Sequence, residues 1–560
     1  MKVLIVGGVA GGASAAARLR RLDEKAQIIV FERGEYVSFA NCGLPYYIGG
    51  EIAEKGDLTL QTPASFKARF NVDVRVNSEV IAVHPAQKKV SVRTAQGDYE
   101  EEYDKLILSP GAAPAVPPIL GTDLEGVFTL RNIPDTEKIK EYVEQHQPKT
   151  ACIVGAGYIG LELAENLMAL GLQVTVAEMA DHVIAPLDYD MACDVHTYAR
   201  KKGLNLILGA GVEGIAPKAQ GGLEVALTGG AVEAEMVILS VGVRPDTALA
   251  KEAGLACNAR GAILVDDRMR TSIEDIYAVG DAIEIVNFVT GEKGYVPLAG
   301  PANKQGRIAA DNICGLESRY KGTQGSSVLK LFDMTVAMTG VNEKSAQAAG
   351  LNYDKVYTFS ASHAAYYPGG HGMSIKTLYE KGTGRILGAQ IVGFDGVDKR
   401  CDMLATAIRA GMTAYDLTEL ELCYAPPFGS AKDPVNFVGY VIENTLTGKV
   451  KNFFWNDVKN LPRDGSVQLL DVRTASERKR GFIEGFMHIP VDELRERAQA
   501  ELDPSKPVYV HCHSGLRSYI ACRMLAGMGY DCYNLSGGWR LYDSVMNDHR
   551  AKDHGCYDPK

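Results

Sequence analysis

The chain has 560 residues, too many for one hydrophobic core, and its even composition, 46% hydrophobic and 23% charged, excludes a long disordered or repetitive region. Its formal net charge of -10 argues against a general nucleic-acid or anionic-membrane surface. The N-terminus lacks a secretory signal and no segment reaches membrane-spanning length, so we expect a cytoplasmic protein without a membrane anchor.

A first β-α-β unit opens the chain. An apolar strand over residues 3–6 runs into a glycine-rich turn over residues 7–12, an alanine-rich helix, and a second strand that ends at Glu32. Glycines let backbone amides approach a pyrophosphate at the helix N-terminus, and the acidic residue can accept hydrogen bonds from a ribose. The pattern predicts a nucleotide site.

The same order of elements returns over residues 151–178. Here Gly155, Gly157 and Gly160 fit the full dinucleotide fingerprint. Glu178 favours NADH, because a carboxylate repels the extra phosphate of NADPH and no arginine follows it directly. NADPH stays the alternative, since a basic residue from elsewhere in the fold could reach this site.

The later segments are predicted from strand and turn patterns. Residues 276–281 read as a strand and a tight turn, and a helix follows Gly300. A third unit over residues 326–447 mixes strands with a helix near residues 402–410 and with turn clusters at 366–370 and 424–429. A polar stretch then predicts a linker, and the last hundred or so residues alternate short strands with helices.

The first glycine turn departs from the strict fingerprint, because Val9 stands where the second glycine would be. This turn resembles the FAD site of the pyridine nucleotide–disulfide oxidoreductases, and residues 108–112 and 278–282 resemble that family's crossing segment and flavin motif. The resemblance places Asp281 on the ribitol chain, with a helix cap as its structural alternative. The FAD contacts that it implies come from Gly7, Gly8, Gly11, Gly12, Glu32, Arg33, Ser109, Gly111, Gly280, Asp281 and Ala299.

Cys42 decides the chemistry. Dithiol members of the family space their redox pair C-x4-C, but here Tyr47 stands five residues after Cys42. Residues 38–47 resemble the single-cysteine branch, which contains coenzyme A-disulfide reductases and the NADH oxidases and peroxidases. A lone thiol can hold an oxidising equivalent as a sulfenic acid or as a mixed disulfide or persulfide. Peroxide- and oxygen-reducing relatives carry a histidine where Ala10 stands, which disfavours the first option.

A coenzyme A substrate needs cations for its phosphates. Ser14, Arg18 and Arg21 recur at spacings that share one helix face, and a solvated face is the alternative interpretation of the arginines. The resemblance implies substrate contacts from these three residues and from Ser38, Asn41, Asn303 and Lys432.

The resemblance also implies a homodimer. In these relatives the third unit forms the dimer interface and reaches into the partner's active site, which implies that Tyr424 and Lys432 act across it. Tyr367 and Tyr424 match tyrosines that flank the disulfide site, so each is a candidate hydrogen-bond donor, with packing as the alternative.

Four features near the C-terminus occur in order and together resemble a rhodanese domain: residues 469–473, 488–490, 512–518 and 537–539. A C-x4-R loop after a buried strand turns successive amides toward Cys512, which can then hold a persulfide sulfur, and Arg517 is expected to close this cradle. A structural cysteine is the alternative.

These observations predict an α/β fold with two Rossmann-like dinucleotide-binding domains, an α+β dimerisation domain and an α/β rhodanese domain. The predicted ranges are 1–110 with 245–325 for FAD, 111–244 for NAD(P)H, 326–448 for dimerisation, 449–464 for a linker and 465–550 for the rhodanese domain.

The predicted activity is reduction of a coenzyme A persulfide, polysulfide or disulfide by NADH through FAD and Cys42, with no metal. An NADH oxidase or peroxidase, a sulfurtransferase with a secondary flavoprotein part, and a flavin-binding redox sensor are the alternatives.

Overall fold

The computed structural model describes residues 1–554, and these residues form two compact units. The first unit contains Met1–Met179 and Leu204–Gly325, and the second contains Ala180–Gly203 and the described residues from Ser326 onward.

The helices and strands follow in chain order. Up to Thr129 they are β1 (Lys2–Val6), α1 (Ala10–Leu22), β2 (Gln27–Phe31), α2 (Leu44–Gly49), α3 (Pro63–Phe70), β3 (Asp73–Arg75), β4 (Glu79–His84), β5 (Lys89–Thr94), β6 (Gly97–Glu102), β7 (Lys105–Leu108), β8 (Ala112–Pro114) and β9 (Val127–Thr129). Up to Ile313 they are α4 (Ile133–His146), β10 (Thr150–Val154), α5 (Tyr158–Ala169), β11 (Gln173–Glu178), α6 (Tyr189–Lys201), β12 (Asn205–Leu208), β13 (Val212–Pro217), β14 (Leu223–Leu227), β15 (Gly230–Ala234), β16 (Met236–Leu239), β17 (Val243–Pro245), α7 (Ala248–Glu252), β18 (Ile276–Ala278), β19 (Ile285–Val286), β20 (Lys293–Gly294) and α8 (Ala299–Ile313).

The second unit adds the elements from Ser327 onward. Those of the third domain are β21 (Ser327–Leu331), β22 (Met334–Gly340), α9 (Glu343–Ala348), β23 (Tyr353–Ala361), β24 (Gly372–Glu380), β25 (Ile386–Gly393), α10 (Val397–Ala410), α11 (Ala414–Glu419) and α12 (Pro434–Leu446). Those of the C-terminal domain are β26 (Lys451–Phe453), β27 (Gln468–Asp471), α13 (Ala475–Arg478), β28 (Met487–His488), α14 (Leu494–Glu501), β29 (Val508–His511), α15 (Leu516–Gly527), β30 (Cys532–Leu535) and α16 (Gly538–His554).

Two parallel sheets organise the first unit. Their strand orders are β18-β7-β1-β2-β3 and β12-β11-β10-β16-β9, so β1 and β10 are the central strands. Val3, Leu4 and Ile5 of β1 are fully buried, because both faces of a parallel sheet are covered. This explains why the central strands read as uninterrupted apolar runs and why each leads through a glycine turn into a helix.

Helices α1 and α8 cross closely in the first unit. A Cβ atom on Gly306 would lie 2.2 Å from the carbonyl oxygen of Gly11, so the two backbones approach where neither helix carries a side chain. The crossing brings α8 against the glycine turn that follows β1.

Two further sheets lie in the second unit. The third domain has an antiparallel sheet of order β21-β22-β25-β24-β23, and the C-terminal domain has a parallel sheet of order β26-β30-β29-β27-β28. The α/β architecture expected from the sequence is confirmed.

The predicted linker over residues 449–464 is wrong in its first part. Lys451–Phe453 forms the edge strand β26, which pairs in parallel with β30. An edge strand has one exposed side and carries polar residues, and here only Phe453 is buried. Three residues with one apolar side chain give no strand signal in the sequence.

Candidate functional site

The glycine turn after β1 is closed by an acidic residue, as the sequence predicts. The Glu32 carboxylate accepts hydrogen bonds from the backbone N–H groups of Gly8 and Gly34, each at 3.0 Å. Gly7 has φ +93°, and a Cβ atom there would lie 2.1 Å from the Ser109 carbonyl oxygen. Glycine is therefore required where the turn meets the crossing segment.

The two nucleotide turns repeat one packing contact. A Cβ atom on Gly12 would lie 1.9 Å from the Gly7 oxygen, and one on Gly160 would lie 2.1 Å from the Gly155 oxygen. These glycines serve the close packing of helix on strand. Gly157 differs, because no atom of the described residues lies within 4 Å of its Cβ position. This is the open approach that a pyrophosphate needs at the N-terminus of α5.

Glu178 ends β11 as Glu32 follows β2. Its carboxylate accepts a hydrogen bond of 2.7 Å from the N–H of Ala156 in the glycine turn. The next residue, Met179, is exposed and uncharged. The residues at this edge therefore fit a ribose without a 2′-phosphate.

The crossing segment and the flavin motif meet beside the first turn. Gly111 and Gly280 have φ +73° and +79°, and the Gly280 N–H donates to Gln305 Oε1 at 2.8 Å. Asp281 accepts a hydrogen bond of 3.1 Å from the guanidinium of Arg131. Arg131 was not identified from the sequence, because it precedes α4 outside every motif.

The remaining predicted FAD contacts lie at the ends of elements. Arg33 is exposed and forms an ion pair of 2.9 Å with Asp246, and Ala299 is the first residue of α8. A cradle of close glycines, a closing carboxylate and a helix N-terminus is compatible with a bound dinucleotide.

Cys42 lies on a single 3-10 turn, Asn41–Gly43, that leads into α2, and its side chain is exposed. The turn is tied to the first nucleotide site, since the N–H of Ser38 donates to the Gly8 oxygen at 2.9 Å. Ser38 has φ +48°, a left-handed conformation that costs a non-glycine residue about 1–3 kcal/mol. Backbone strain thus accompanies the segment that presents the thiol.

Acidic neighbours surround this thiol. Although the Cys42 surface is accessible, the protein atoms packed around the thiol desolvate it and raise its pKa. Glu162 and Asp281 raise this pKa further, and Arg131 opposes them. Burial also raises the pKa of Glu162 to about 7, and Glu162 accepts a hydrogen bond of 3.4 Å from the Tyr46 hydroxyl. The protein groups alone therefore favour the neutral thiol at neutral pH.

The predicted substrate face of α1 is partly assembled. Ser14 Oγ donates to Asn303 Oδ1 at 2.6 Å, which brings two predicted contact residues together from distant parts of the sequence. Arg18 forms an ion pair of 2.6 Å with Asp311, so its charge is already compensated, whereas Arg21 is exposed.

The two turn clusters of the third domain are joined directly. The N–H of Ala364 donates to the Gly429 oxygen at 3.0 Å, and the hydroxyl groups of Tyr366 and Tyr424 lie 2.6 Å apart. Both tyrosines are exposed, and their hydrogen bond raises the pKa of Tyr366. Lys432 is also exposed in this domain.

Tyr367, the other candidate hydrogen-bond donor from the sequence, lies next to Tyr366 in the chain and has a different neighbour. Its ring packs edge-on against the His363 ring at 5.7 Å between centroids, and Tyr366 takes the place beside Tyr424. Adjacent turn residues point in different directions, and the sequence does not indicate which of two neighbouring tyrosines faces the second turn.

The loop around Cys512 follows β29 as predicted. The Cys512 sulfur accepts hydrogen bonds from the N–H of Gly515 and from Ser518 Oγ, each at 3.2 Å. Gly515 has φ +100°, which lets the chain turn inward around the sulfur. Ser518 was part of the motif but was not singled out, although its place in the first turn of α15 aims it at the cysteine.

Arg517, which is expected to close this loop, is paired with a residue from outside it. Its guanidinium forms two hydrogen bonds, of 2.8 and 2.6 Å, with the Glu477 carboxylate. This pairing holds the pKa of Glu477 well below its usual value. Glu477 lies 40 residues away in sequence, so the competing partner could not be read from the loop motif.

No helix among residues 1–554 is long and apolar enough to cross a membrane.

Comparisons with protein families match three parts of the chain. Residues 1–306 match "Pyridine nucleotide-disulphide oxidoreductase", residues 326–434 match the dimerisation domain of the same name, and residues 455–544 match "Rhodanese-like domain". The family resemblance stated from the sequence is confirmed.

Two solved structures match almost the whole chain. Reduced CoADR-RHD from Bacillus anthracis is 48% identical with a TM-score of 0.95, covering 97% of this chain and 98% of that one. An NAD-dependent persulfide reductase from A. fulgidus is 40% identical with a TM-score of 0.90, covering 97% and 100%.

Two curated relatives, each 36% identical, match about four fifths of the chain. The NAD(P)H coenzyme A polysulfide/persulfide reductase of Pyrococcus horikoshii is matched over 79% of this chain and 98% of its own length. The NADH oxidase of Methanocaldococcus jannaschii is matched over 80% and 100%.

Proposed function

The chain belongs to the pyridine nucleotide-disulphide oxidoreductase family, and on this premise we propose that it is a flavoprotein reductase acting on sulfur–sulfur bonds. Electrons from NADH reach the S–S bond of a coenzyme A persulfide, polysulfide or disulfide through Cys42, and Cys512 of the rhodanese-like domain handles sulfane sulfur. The observation that carries the proposal is the exposed thiol of Cys42, whose turn follows the strained residue Ser38 and is bonded through Ser38 to the first nucleotide site.

The residues of the first unit suit two dinucleotides. Glu32 and the turn over residues 7–12 hold FAD, and Glu178 with the turn over residues 155–160 holds NADH. When bound, FAD would supply the two-electron redox chemistry between a nicotinamide and a sulfur centre.

Cys42 performs the sulfur chemistry. Its thiolate attacks the coenzyme A sulfur of a persulfide, the S–S bond of the substrate breaks, and hydrosulfide leaves. Cys42 is then joined to coenzyme A in a mixed disulfide. Two electrons cleave that bond, which releases coenzyme A thiolate and regenerates the Cys42 thiolate. With coenzyme A disulfide the same steps release two coenzyme A thiols.

Tyr366 and Tyr424 are the proton donors for a departing thiolate. When Tyr424 gives up its proton, the Tyr366 hydroxyl at 2.6 Å can donate to the phenolate that remains. The dimerisation domain implies a homodimer, and we assign the pair and Lys432 to the site of the partner subunit. Ser14, Arg18, Arg21, Ser38, Asn41 and Asn303 bind the substrate in this proposal.

An NADH oxidase is the second candidate, because a relative of that name is 36% identical. It requires Cys42 to cycle through a sulfenic acid. The methyl side chain of Ala10 cannot donate or accept a proton to assist peroxide at the first glycine turn, and the rhodanese-like domain favours a sulfur substrate.

Anaerobic NADH oxidation tests the choice. Wild type, Cys42→Ser and Cys512→Ser are compared with coenzyme A persulfide, coenzyme A disulfide, polysulfide and peroxide. We expect sulfur acceptors to be preferred and Cys42→Ser to be inactive with all of them. Peroxide as by far the best acceptor, or activity that survives in Cys42→Ser, overturns the proposal.

A further inference from the structure

Helix α6 lies in the part of the sequence predicted to belong to the NAD(P)H domain, yet it packs within the second unit. Its polar side chains contact both the third domain and the C-terminal domain. The residues concerned recur along the helix at Asp190, Asp194, His196 and Arg200, so the contacts run from its first turn to its last.

Residues from both ends of α6 meet a buried carboxylate on α16. Asp548 is fully buried at its side chain and accepts hydrogen bonds from Arg200 at 2.6 Å and from the Tyr189 hydroxyl at 2.7 Å. His196 Nδ1 lies 3.1 Å from the same carboxylate. Burial opposes ionisation of Asp548, but these partners hold its pKa well below the usual value. Asp548 is therefore a buried anion whose closest counter-charge, Arg200, comes from α6, while Lys552 of its own helix lies 3.4 Å away.

The middle of α6 bridges the two domains. One oxygen of Asp194 accepts from Ser374 of β24 and the other from Ser544 of α16, each at 2.7 Å. A single side chain thus holds a strand of the third domain and a helix of the C-terminal domain at once.

The first turn of α6 joins the same domains again. Asp190 accepts from the buried Lys376 of β24 at 2.9 Å and from Trp455 Nε1, just after β26, at 3.2 Å. The Tyr357 hydroxyl of β23 also donates to Asp190. Lys376 is fully buried and pairs with two further carboxylates of the second unit, so Asp190 belongs to a buried cluster of charges that compensate one another.

A metal centre does not explain this cluster, although Cys193, His196 and Asp548 offer ligand-type atoms within 4.8 Å of one another. His196 Nε2 accepts a hydrogen bond of 3.1 Å from the N–H of Val183, so the proton of the neutral ring is on Nδ1. The nitrogen that faces Asp548 is therefore a donor and has no lone pair for a cation.

The other end of α16 holds the Cys512 loop. The N–H of Trp539 donates to the Cys512 oxygen and that of Arg540 to the His513 oxygen, both at 2.8 Å. One helix therefore carries the catalytic loop at its start and the Asp548 contact near its end.

We propose that α6 is a docking helix for the rhodanese-like domain and that Asp548 is the residue on which docking depends. The Cys512 loop then keeps a fixed position against the third domain through α16, so the domain does not move on a flexible tether. This inference does not depend on which sulfur acceptor the enzyme uses.

Hydrogen–deuterium exchange on the full-length holoenzyme tests the docking. Asp548→Asn preserves size but removes the charge that pairs with Arg200, and we expect exchange in peptides of α6 and α16 to accelerate together by more than about tenfold. Peptides of β29 should keep their wild-type protection, which shows that the domain remains folded. The matched control is Asp531→Asn, on the surface of the same domain and paired with Lys451, which should change neither helix.

A second variant tests the docking independently, in case Asp548→Asn does not fold. Asp194→Asn weakens both serine contacts without leaving a buried charge, and it should accelerate exchange in α6 and α16 to a smaller degree. The docking proposal is overturned if both variants leave α6 protected, or if α16 of the wild type exchanges as fast as expected for a freely tethered domain.

Discussion

Cys42 lies in surroundings that disfavour its own anion. Desolvation by the surrounding protein atoms and two carboxylates raise its pKa, and one guanidinium opposes them. The attacking species is the thiolate, so a raised pKa means that the reactive fraction grows as the pH rises. Charges of the bound substrate and cofactor can therefore change the thiolate fraction of Cys42. Each charged side chain nearby also changes it through the pKa of the thiol.

Glu162→Gln should make Cys42 more reactive at a given alkaline pH. The carboxylate raises the Cys42 pKa and its own pKa is about 7, so its removal acts mainly above neutral pH and shifts the reactivity profile to lower pH. The rate of iodoacetamide alkylation of Cys42 against pH measures the shift. Glu144→Gln, on the exposed side of α4, is the control, and a profile that stays in place or moves to higher pH contradicts the assignment.

The paired tyrosines predict a selective loss. Tyr366→Phe and Tyr424→Phe each remove a hydroxyl from the 2.6 Å pair, and kcat with coenzyme A disulfide should fall by about 10²-fold or more if the pair donates a proton. Tyr367→Phe is the neighbouring control and should stay close to wild type. A larger loss in Tyr367→Phe than in Tyr366→Phe would restore the original sequence assignment.

At the residue scale, the sequence identifies the residues within a motif but not the residues from elsewhere in the chain that contact them. Cys42, Cys512 and the nucleotide glycines follow from spacing, because turn geometry and chemistry restrict the residue types. Arg131 and Glu477 come from outside the motifs, and their roles depend on distances that form only in the folded chain.

The glycine turn of the second β-α-β unit contains glycines with two different roles. Gly157 has open space at its Cβ position, whereas a Cβ atom on Gly160 would collide with the Gly155 oxygen at 2.1 Å. A methyl group at position 157 would occupy the space that the nucleotide needs, whereas a methyl group at position 160 would collide with the protein backbone.

Substitution by alanine should therefore impair nucleotide binding at one of these positions and stability at the other. Gly157→Ala should leave the free energy of unfolding within about 0.5 kcal/mol of wild type and lower kcat/KM for NADH. Gly160→Ala should destabilise the protein by about 1–3 kcal/mol. Denaturant unfolding and steady-state kinetics measure the two effects, and equal loss of stability in both variants would contradict the distinction.

At the same scale, element type is well predicted where periodicity is strong. β29 lies directly before the Cys512 loop, where the sequence predicts a buried strand, and the parallel central strands follow from their apolar runs. β26 was missed because one buried side chain cannot produce a pattern, and pairing with β30 supplies its stability.

At the scale of the whole molecule, the chain contains two thiol sites, and each site is built on a different compact unit. Cys42 lies in the first unit and Cys512 in the second. Sequence alone separated these sites, but it assigned α6 by position in the chain and could not indicate that α6 packs with the C-terminal domain. Long-range ion pairs such as Arg200 with Asp548 leave no local signature.

Cys512→Ser should abolish one of the two proposed activities and leave the other intact. We expect it to abolish sulfur transfer from a small sulfane donor and to keep NADH-dependent reduction of coenzyme A disulfide near the wild-type rate. Cyanide-coupled sulfur transfer and NADH absorbance measure the two, with Cys522→Ser as a control thiol in the same domain. Equal loss of both activities would show that the sites do not work separately.

The central claim is that electrons leave the enzyme through a covalent bond between Cys42 and coenzyme A. Reaction of the reduced holoenzyme with coenzyme A disulfide without oxygen, followed by acid quench and peptide mass spectrometry, tests it most directly. We predict one coenzyme A on the peptide that contains Cys42, removed by excess NADH before quenching. A Cys42 peptide that never carries coenzyme A while the substrate is turned over would contradict the account.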